Sequence, residues 1–160
     1  MNLDFISKMN TSNFYTYQPD ILGDGYQQLT LNFADDYDGK VVATLVRKKA
    51  AQSTKKAVLY VHGFTDYFFQ KEMAEQFNQH GYDFYALDLR KYGRSKLPHQ
   101  TLYYVRDLRE YDAEISKSLE IISQENHNQV LLAGHSTGGL ITTLYAAHYP
   151  DHRLVKALWA

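Results

Sequence analysis

VLLAGHSTGG, residues Val130 to Gly139, is the stretch whose reading decides the fold. Val130 to Ala133 is a short apolar run with the length of a buried strand. Gly134-His135-Ser136-Thr137-Gly138 follows and fits G-x-S-x-G. Leu140 to Tyr149 then reads as a helix, so Ser136 falls on a sharp turn between strand and helix. That context identifies a nucleophile elbow, in which the turn lifts the serine hydroxyl clear of the sheet. Gly134 and Gly138 flank the turn because side chains there would crowd neighbouring backbone. A helix starting just after Ser136 aims N–H groups and the positive end of its dipole at the site, where an oxyanion would be stabilised.

Working outward, Leu154 to Ala160 begins another apolar strand downstream, after a helix that stops before Pro150. Upstream lies the best-defined helix. Asp107 and Glu110 have the spacing of a capping box, and Leu108, Tyr111, Ile115, Leu119 and Ile122 recur at steps of three and four. Asp83 to Leu89 reads as a strand and Arg90 to Tyr104 as a long loop. Ala57 to Val61 is a strand followed by His62-Gly63-Phe64. A helix then runs from about Lys71 to His80, with Gly81 placed as its C-terminal cap. Leu29, Leu31 and Phe33 alternate with polar residues, and Val41 to Val46 is rich in β-branched residues. The Asp38-Gly39 turn signal between them predicts an antiparallel hairpin. Asp36-x-Asp38-Gly39 also resembles the start of a calcium loop, but the later ligands and the twelfth-position Glu are missing, which favours the hairpin. Residues 1–24 have no clear period and are expected to be an irregular lead-in on the domain edge. After the hairpin, strands and helices alternate, which predicts an α/β fold: a mainly parallel sheet with helices on both faces.

The His62-Gly63-Phe64 turn sits between strand and helix, as the elbow does. Such turns gather at the carboxyl ends of parallel strands, where ligands bind. Gly63 would let the backbone approach a bound group, and the N–H of Phe64 would join that of Thr137 in an oxyanion hole.

Three stretches, LYVHGF (Leu59 to Phe64), ALDLRKYGRS (Ala86 to Ser95) and LLAGHSTGG (Leu131 to Gly139), resemble the α/β-hydrolase superfamily. The closest likeness is to the monoacylglycerol lipase, lysophospholipase and serine aminopeptidase-like branch. The resemblance runs from about Gly25 to Ala160, so residues 25–160 read as the N-terminal half of such a domain. It implies Ser136 as nucleophile and the Phe64 and Thr137 N–H groups as oxyanion donors, supported by His62, Gly63, Gly134 and Gly138. In the family the middle stretch reads D-x-R-G-x-G-x-S. Asp88, Arg90, Gly93 and Ser95 match, whereas Lys91 replaces the first glycine. The resemblance makes Asp88 a structural hydrogen-bond acceptor of that loop.

In this fold the triad follows the order Ser, acid, His, so the acid and base are expected beyond Ala160, with the last strands. His148 and His152 lie on or just past the helix after the elbow, and His62 and His135 are read as packing groups. The expected activity is hydrolysis of a carboxylic ester through an acyl-enzyme on Ser136, with a small-molecule ester or lipid as substrate. By this reading residues 1–160 alone are nearly inactive. The alternatives are a peptidase or thioesterase of the same fold, or a non-catalytic binding protein or half-domain on a hydrolase scaffold. Phe64, Tyr67, Phe68, Phe69, Tyr103 and Tyr104 stand in two loops that either border the site, where they would suit an apolar acyl chain, or pack under a cap region.

Composition narrows the alternatives. With 17 Lys+Arg against 18 Asp+Glu, the net charge of −1 gives no footprint for nucleic acid or an anionic membrane. There is no cysteine, which excludes disulfides and thiolate metal sites, and no metal is expected. No G-x-G-x-x-G follows a strand and no G-x-x-x-x-G-K-[ST] occurs, so no cofactor is expected. No apolar stretch is long enough to span a bilayer, and the first residues lack a secretory pattern, so the expected location is cytoplasmic. The sequence carries no signal for an oligomeric state.

Overall fold

A computed structural model describes residues 15–160. Among them seven strands form one sheet in the order β1-β2-β3-β5-β4-β6-β7. These are β1 (Gln18–Pro19), β2 (Gln27–Asp36), β3 (Gly39–Lys48), β4 (Lys56–Val61), β5 (Asp83–Asp88), β6 (Gln129–Gly134) and β7 (Val155–Trp159). The first three strands and β5 pair antiparallel in sequence of position, whereas β5, β4, β6 and β7 are mutually parallel. Three helices fill the crossovers: α1 (Lys71–Gln79), α2 (Asp112–Gln124) and α3 (Thr137–His148).

The helices lie on both faces, as alternating strands and helices require. On one face Ile115, Leu119 and Ile122 of α2 and Ile141 and Tyr145 of α3 pack on Leu59, Val61, Leu87 and Leu132. On the other, Met73, Ala74 and Phe77 of α1 pack on Val58, Tyr60, Phe84 and Ala86. Residues of one strand alternate between these two cores because successive side chains point to opposite faces. Burial on both sides explains why β4 and β5 read as nearly continuous apolar runs.

Local signals hold with adjusted boundaries. The β2–β3 hairpin is tighter than its sequence suggests, with Asp36 opposite Gly39 and a bulge between Phe33 and Asp36. The Asp107–Glu110 capping box is present, but it opens a 3₁₀ turn over Leu108–Tyr111 that leads into α2. The α3 helix begins at Thr137 rather than Leu140. The Arg90–Tyr104 loop contains a 3₁₀ turn at Gly93–Ser95. The irregular lead-in expected for residues 1–24 lies partly outside the described residues. Where it is described, it is not wholly irregular, because Gln18 and Pro19 pair with β2 at the sheet edge.

Candidate active site

The site forms where the two central strands end together. The parallel ladder between β4 and β6 runs out at Val61 opposite Gly134. Each strand then turns sharply, so His62-Gly63-Phe64 and the elbow lie side by side. The His135 N–H donates to the Val61 carbonyl at 3.1 Å, which ties the turns together. A Cβ on Gly63 would sit 3.2 Å from His135 Nδ1 and 3.4 Å from Ser136 Cβ.

The elbow itself is a strained turn. Ser136 has φ 55° and ψ −120°, a conformation L-residues rarely adopt. Its surroundings impose it. The Gly138 N–H donates to the His135 carbonyl at 2.8 Å, and the Leu140 N–H to the Ser136 carbonyl at 3.2 Å. The flanking glycines are required by contact. A Cβ on Gly134 would fall 2.4 Å from the Gly138 carbonyl carbon, and one on Gly138 would fall 2.2 Å from the Val61 oxygen. The turn leaves Ser136 exposed at the N-terminus of α3.

The N–H groups of Phe64 and Thr137 have no hydrogen-bond partner among the described residues. Both belong to the paired turns, and Thr137 opens α3, whose first N–H groups have no partner within the helix. They are therefore available to an anion. Beside Ser136 lies a cavity of about 600 Å³ lined by Tyr60, Asp66, Phe69, Met73, His135 and Trp159, among others. Of the six aromatics in those two loops, Phe69 lines this cavity. Phe64 and Tyr67 are exposed, and Phe64 meets the Tyr103 ring edge-on at 5.6 Å. Phe68 does not border the site: it is buried against Tyr26, Tyr60 and Phe84. A loop has no hydrophobic period, so the sequence could not say which of three successive aromatics turns inward. Tyr60, Met73 and Trp159 also line the cavity, and in the sequence they stand only as parts of two strands and a helix. Their one signal was position, since Tyr60 stands at the carboxyl end of β4.

His62 is buried. Its Nε2 accepts from the Leu89 N–H at 3.1 Å and its Nδ1 faces the Gly63 carbonyl at 2.8 Å. The ring is thereby fixed with its proton on Nδ1, and burial lowers its pKa below the usual histidine value. It braces the turn and has no free nitrogen to act as a base. His148 faces Asp112 at 2.8 Å, at the far end of α3 from Ser136. His127 faces Asp83 at 2.9 Å, where β5 and β6 begin, at the opposite end of the strands from Ser136. His152 accepts from the Leu154 N–H. Among the described histidines His135 is the one beside the serine, and it belongs to the same turn. The Ser136 hydroxyl has no hydrogen-bond partner among the described residues.

Asp88 is wholly buried and accepts from the Phe68 N–H at 2.8 Å, the Arg94 N–H at 3.1 Å and the Arg94 guanidinium at 2.9 Å. Arg94 also grips Asp20 through two nitrogens, at 2.7 and 2.9 Å. Asp88 is thus a loop organiser, with both oxygens occupied. No group of three or more metal-ligating side chains occurs among the described residues. No helix there is long and apolar enough to cross a membrane.

A model of the family described as serine aminopeptidase, S33, matches residues 52–158. The chain belongs to this family. The matched region holds both turns, the loop after β5 and most of the residues that line the cavity beside Ser136, all but Trp159 and Ala160. Epoxide hydrolase 4 of Mus musculus is 32% identical over 104 residues, which are 64% of this chain and 27% of that protein. The Homo sapiens protein of the same name is 29% identical over 103 residues, with the same coverage. Among solved structures, a thermostable carboxyl esterase from Bacillus coagulans superposes with a TM-score of 0.68 at 21% identity, covering 82% of this chain and 43% of its own. A probable hydrolytic enzyme from Pseudomonas aeruginosa gives 0.65 at 18% identity, covering 88% and 40%. The chain therefore has the α/β-hydrolase fold. It spans about a quarter of the length of the curated relatives it matches, and about two-fifths of these solved structures.

Proposed function

We propose that this chain carries the nucleophile half of a serine hydrolase that cleaves carboxylic esters, and that residues 25–160 are the N-terminal half of its domain. One observation supports this above the rest: an exposed serine on a strained elbow, pressed against a second turn, with the unpartnered Phe64 and Thr137 N–H groups beside it. Ser136 Oγ attacks the carbonyl carbon and gives its proton to a base. The carbonyl oxygen becomes an oxyanion that accepts from the two N–H groups. Collapse breaks the ester bond, the alcohol leaves with that proton, and water then hydrolyses the acyl-enzyme. None of the described histidines supplies the base, so we place it, with its orienting acid, later in the full-length protein, as the chain order of this fold requires.

The substrate reading rests on the cavity. Tyr60, Phe69, Met73 and Trp159 offer apolar walls that suit an acyl chain, and Asp66, the one carboxylate side chain in the lining, is already engaged by the Tyr67 N–H and the Gln70 amide. The epoxide hydrolase relatives make epoxide opening the natural competitor. A hole of two N–H donors favours the carbonyl substrate, whose oxygen becomes anionic beside the serine. The test labels full-length protein and its Ser136→Ala variant with a fluorophosphonate, then compares a medium-chain p-nitrophenyl ester, an aminoacyl-naphthylamide and a styrene oxide. Labelling lost in the variant and the ester turned over fastest is the expected result. Equal labelling, or faster turnover of the amide or epoxide, would overturn the reading.

A further inference from the structure

Lys91 stands where the family pattern has glycine, and the structure shows how it fits. Its φ is +66°, a left-handed conformation that explains why glycine is usual there. Its side chain is inaccessible to solvent and runs back to the β2–β3 turn. There Nζ lies 2.9 Å from both Asp36 Oδ2 and Asp38 Oδ2, and 4.3 Å from the centre of the Tyr37 ring. The Asp36 contact is not aligned as a hydrogen bond, and that oxygen has no hydrogen-bond partner among the described residues. Charge attraction is what holds it. Asp38 Oδ2 also accepts the Thr101 N–H at 3.2 Å, so the same turn grips the loop at a second point.

The other side of Lys91 leads to the site. Its carbonyl accepts the Tyr103 N–H at 3.4 Å. The Tyr103 ring lies 4.8 Å from the Tyr92 ring and 5.6 Å from that of Phe64. Tyr92 in turn lies 4.8 Å from His62. Phe64 is otherwise largely exposed, at 58%, and Tyr103 is the aromatic ring that meets it among the described residues. Moving Tyr103 therefore moves the residue whose N–H borders Ser136.

We propose that Lys91, held by Asp36 and Asp38, is a positioning residue for the oxyanion hole, acting through Tyr103 on Phe64. This rests on the ester-hydrolase reading of Ser136. Lys91 touches no substrate. It pins the 91–103 segment to the hairpin and so fixes the Phe64 N–H relative to Ser136. A misplaced donor destabilises the transition state but leaves in place the cavity walls that come from the strands and α1, Tyr60, Met73 and Trp159, so ground-state binding there is kept. The signature is thus a fall in kcat without a rise in KM.

The test uses full-length protein carrying Lys91→Met, and Lys91→Met combined with Asp36→Asn and Asp38→Asn, which removes the two carboxylates left without the ammonium should the single variant fail to fold. On a p-nitrophenyl ester, kcat is expected to fall about 10- to 100-fold with KM within about twofold, the scale of a displaced or lost oxyanion donor. Lys91→Arg, which keeps the charge, is expected to restore part of the loss. With ¹⁵N-phenylalanine and ¹⁵N-threonine labels, the Phe64 amide resonance should shift in the Met variants while that of Thr137 holds. Unchanged kcat, an equal change in KM, or an unmoved Phe64 resonance overturns the proposal. So does a protein that folds in neither variant, since Lys91 would then be only structural. Should the wild type neither label nor turn over ester, the ester reading fails by itself, and the Phe64 resonance still decides whether Lys91 positions that turn.

Discussion

Ser136→Gly should make the protein more stable than Ser136→Ala does. The two substitutions remove the same hydroxyl and differ in the Cβ. At φ 55° and ψ −120° a Cβ is crowded against its own backbone, a strain of about 1–3 kcal/mol for a non-glycine residue. Alanine keeps that strain. It should lie within about 0.5 kcal/mol of wild type, because the exposed hydroxyl has no protein partner to lose. Glycine releases the strain but gives the unfolded chain more freedom, which costs about 0.5–1 kcal/mol. At the middle of these ranges glycine is about 1 kcal/mol more stable than alanine, a rise of roughly 2–4 °C in Tm. Differential scanning calorimetry on the full-length variants, at one scan rate and protein concentration, measures it. Equal midpoints, or a lower one for glycine, would refute the claim that the turn stores strain. The strain persists because three backbone hydrogen bonds around the turn and the packing of Gly138 on Val61 leave it no alternative.

Two further outcomes follow from the same geometry. Gly138→Ala places a Cβ 2.2 Å from the Val61 oxygen and 2.4 Å from the His62 oxygen, backbone atoms that cannot rotate away. It should cost about 1–3 kcal/mol or more by urea denaturation. The neighbouring Gly139→Ala meets nothing closer than the Ala160 side chain at 3.3 Å and should be near neutral; similar losses at both positions would show that the clash is not the cause. Glu114 is fully buried beside Arg90, and burial raises its pKa to about 7 from an ordinary 4.5 despite that partner. A raised carboxyl pKa means the folded state binds the proton more tightly. The stability Glu114 contributes is then fully present below about pH 4.5 and is lost as pH rises through about 7. The urea midpoint should fall across that window more steeply in wild type than in Glu114→Gln; parallel profiles would contradict the shift.

The elbow was legible because its requirements are local. A strand-length apolar run, small residues at two fixed offsets and a helix start are all written within ten consecutive residues. The same is true of His62-Gly63-Phe64 and of the Asp-Gly hairpin turn. Joining the two turns needed only the rule that parallel strands end on the same side. What could not be read depends on pairings across the chain. Arg94 meets Asp20 and Asp88, and the edge strand at Gln18 exists only because β2 is there to pair with it. The aromatic cluster Tyr67-Phe68-Phe69 was visible as a cluster, but its division into one core residue and two outward ones is set by the body beneath it.

Lys91 shows how such a long-range pairing can still leave a mark in sequence. A lysine in a left-handed conformation carries a backbone cost of about 1 kcal/mol or more relative to glycine, and burying its ammonium adds a desolvation penalty. Neither is tolerated unless something offsets both. The Asp36-x-Asp38 turn provides two carboxylates and an aromatic face, and the buried ammonium is held protonated by them. The same two aspartates had suggested the beginning of a calcium loop, and the arrangement is related in chemistry: a tight acidic turn closed on a cation, with the cation supplied by the chain. A charged residue at a position normally kept for glycine, together with an acidic turn that lacks the rest of its metal ligands, is therefore one signal in two halves. Each half alone reads as a departure from a pattern. Paired, they predict the contact that ties the first hairpin to the loop leading towards Ser136.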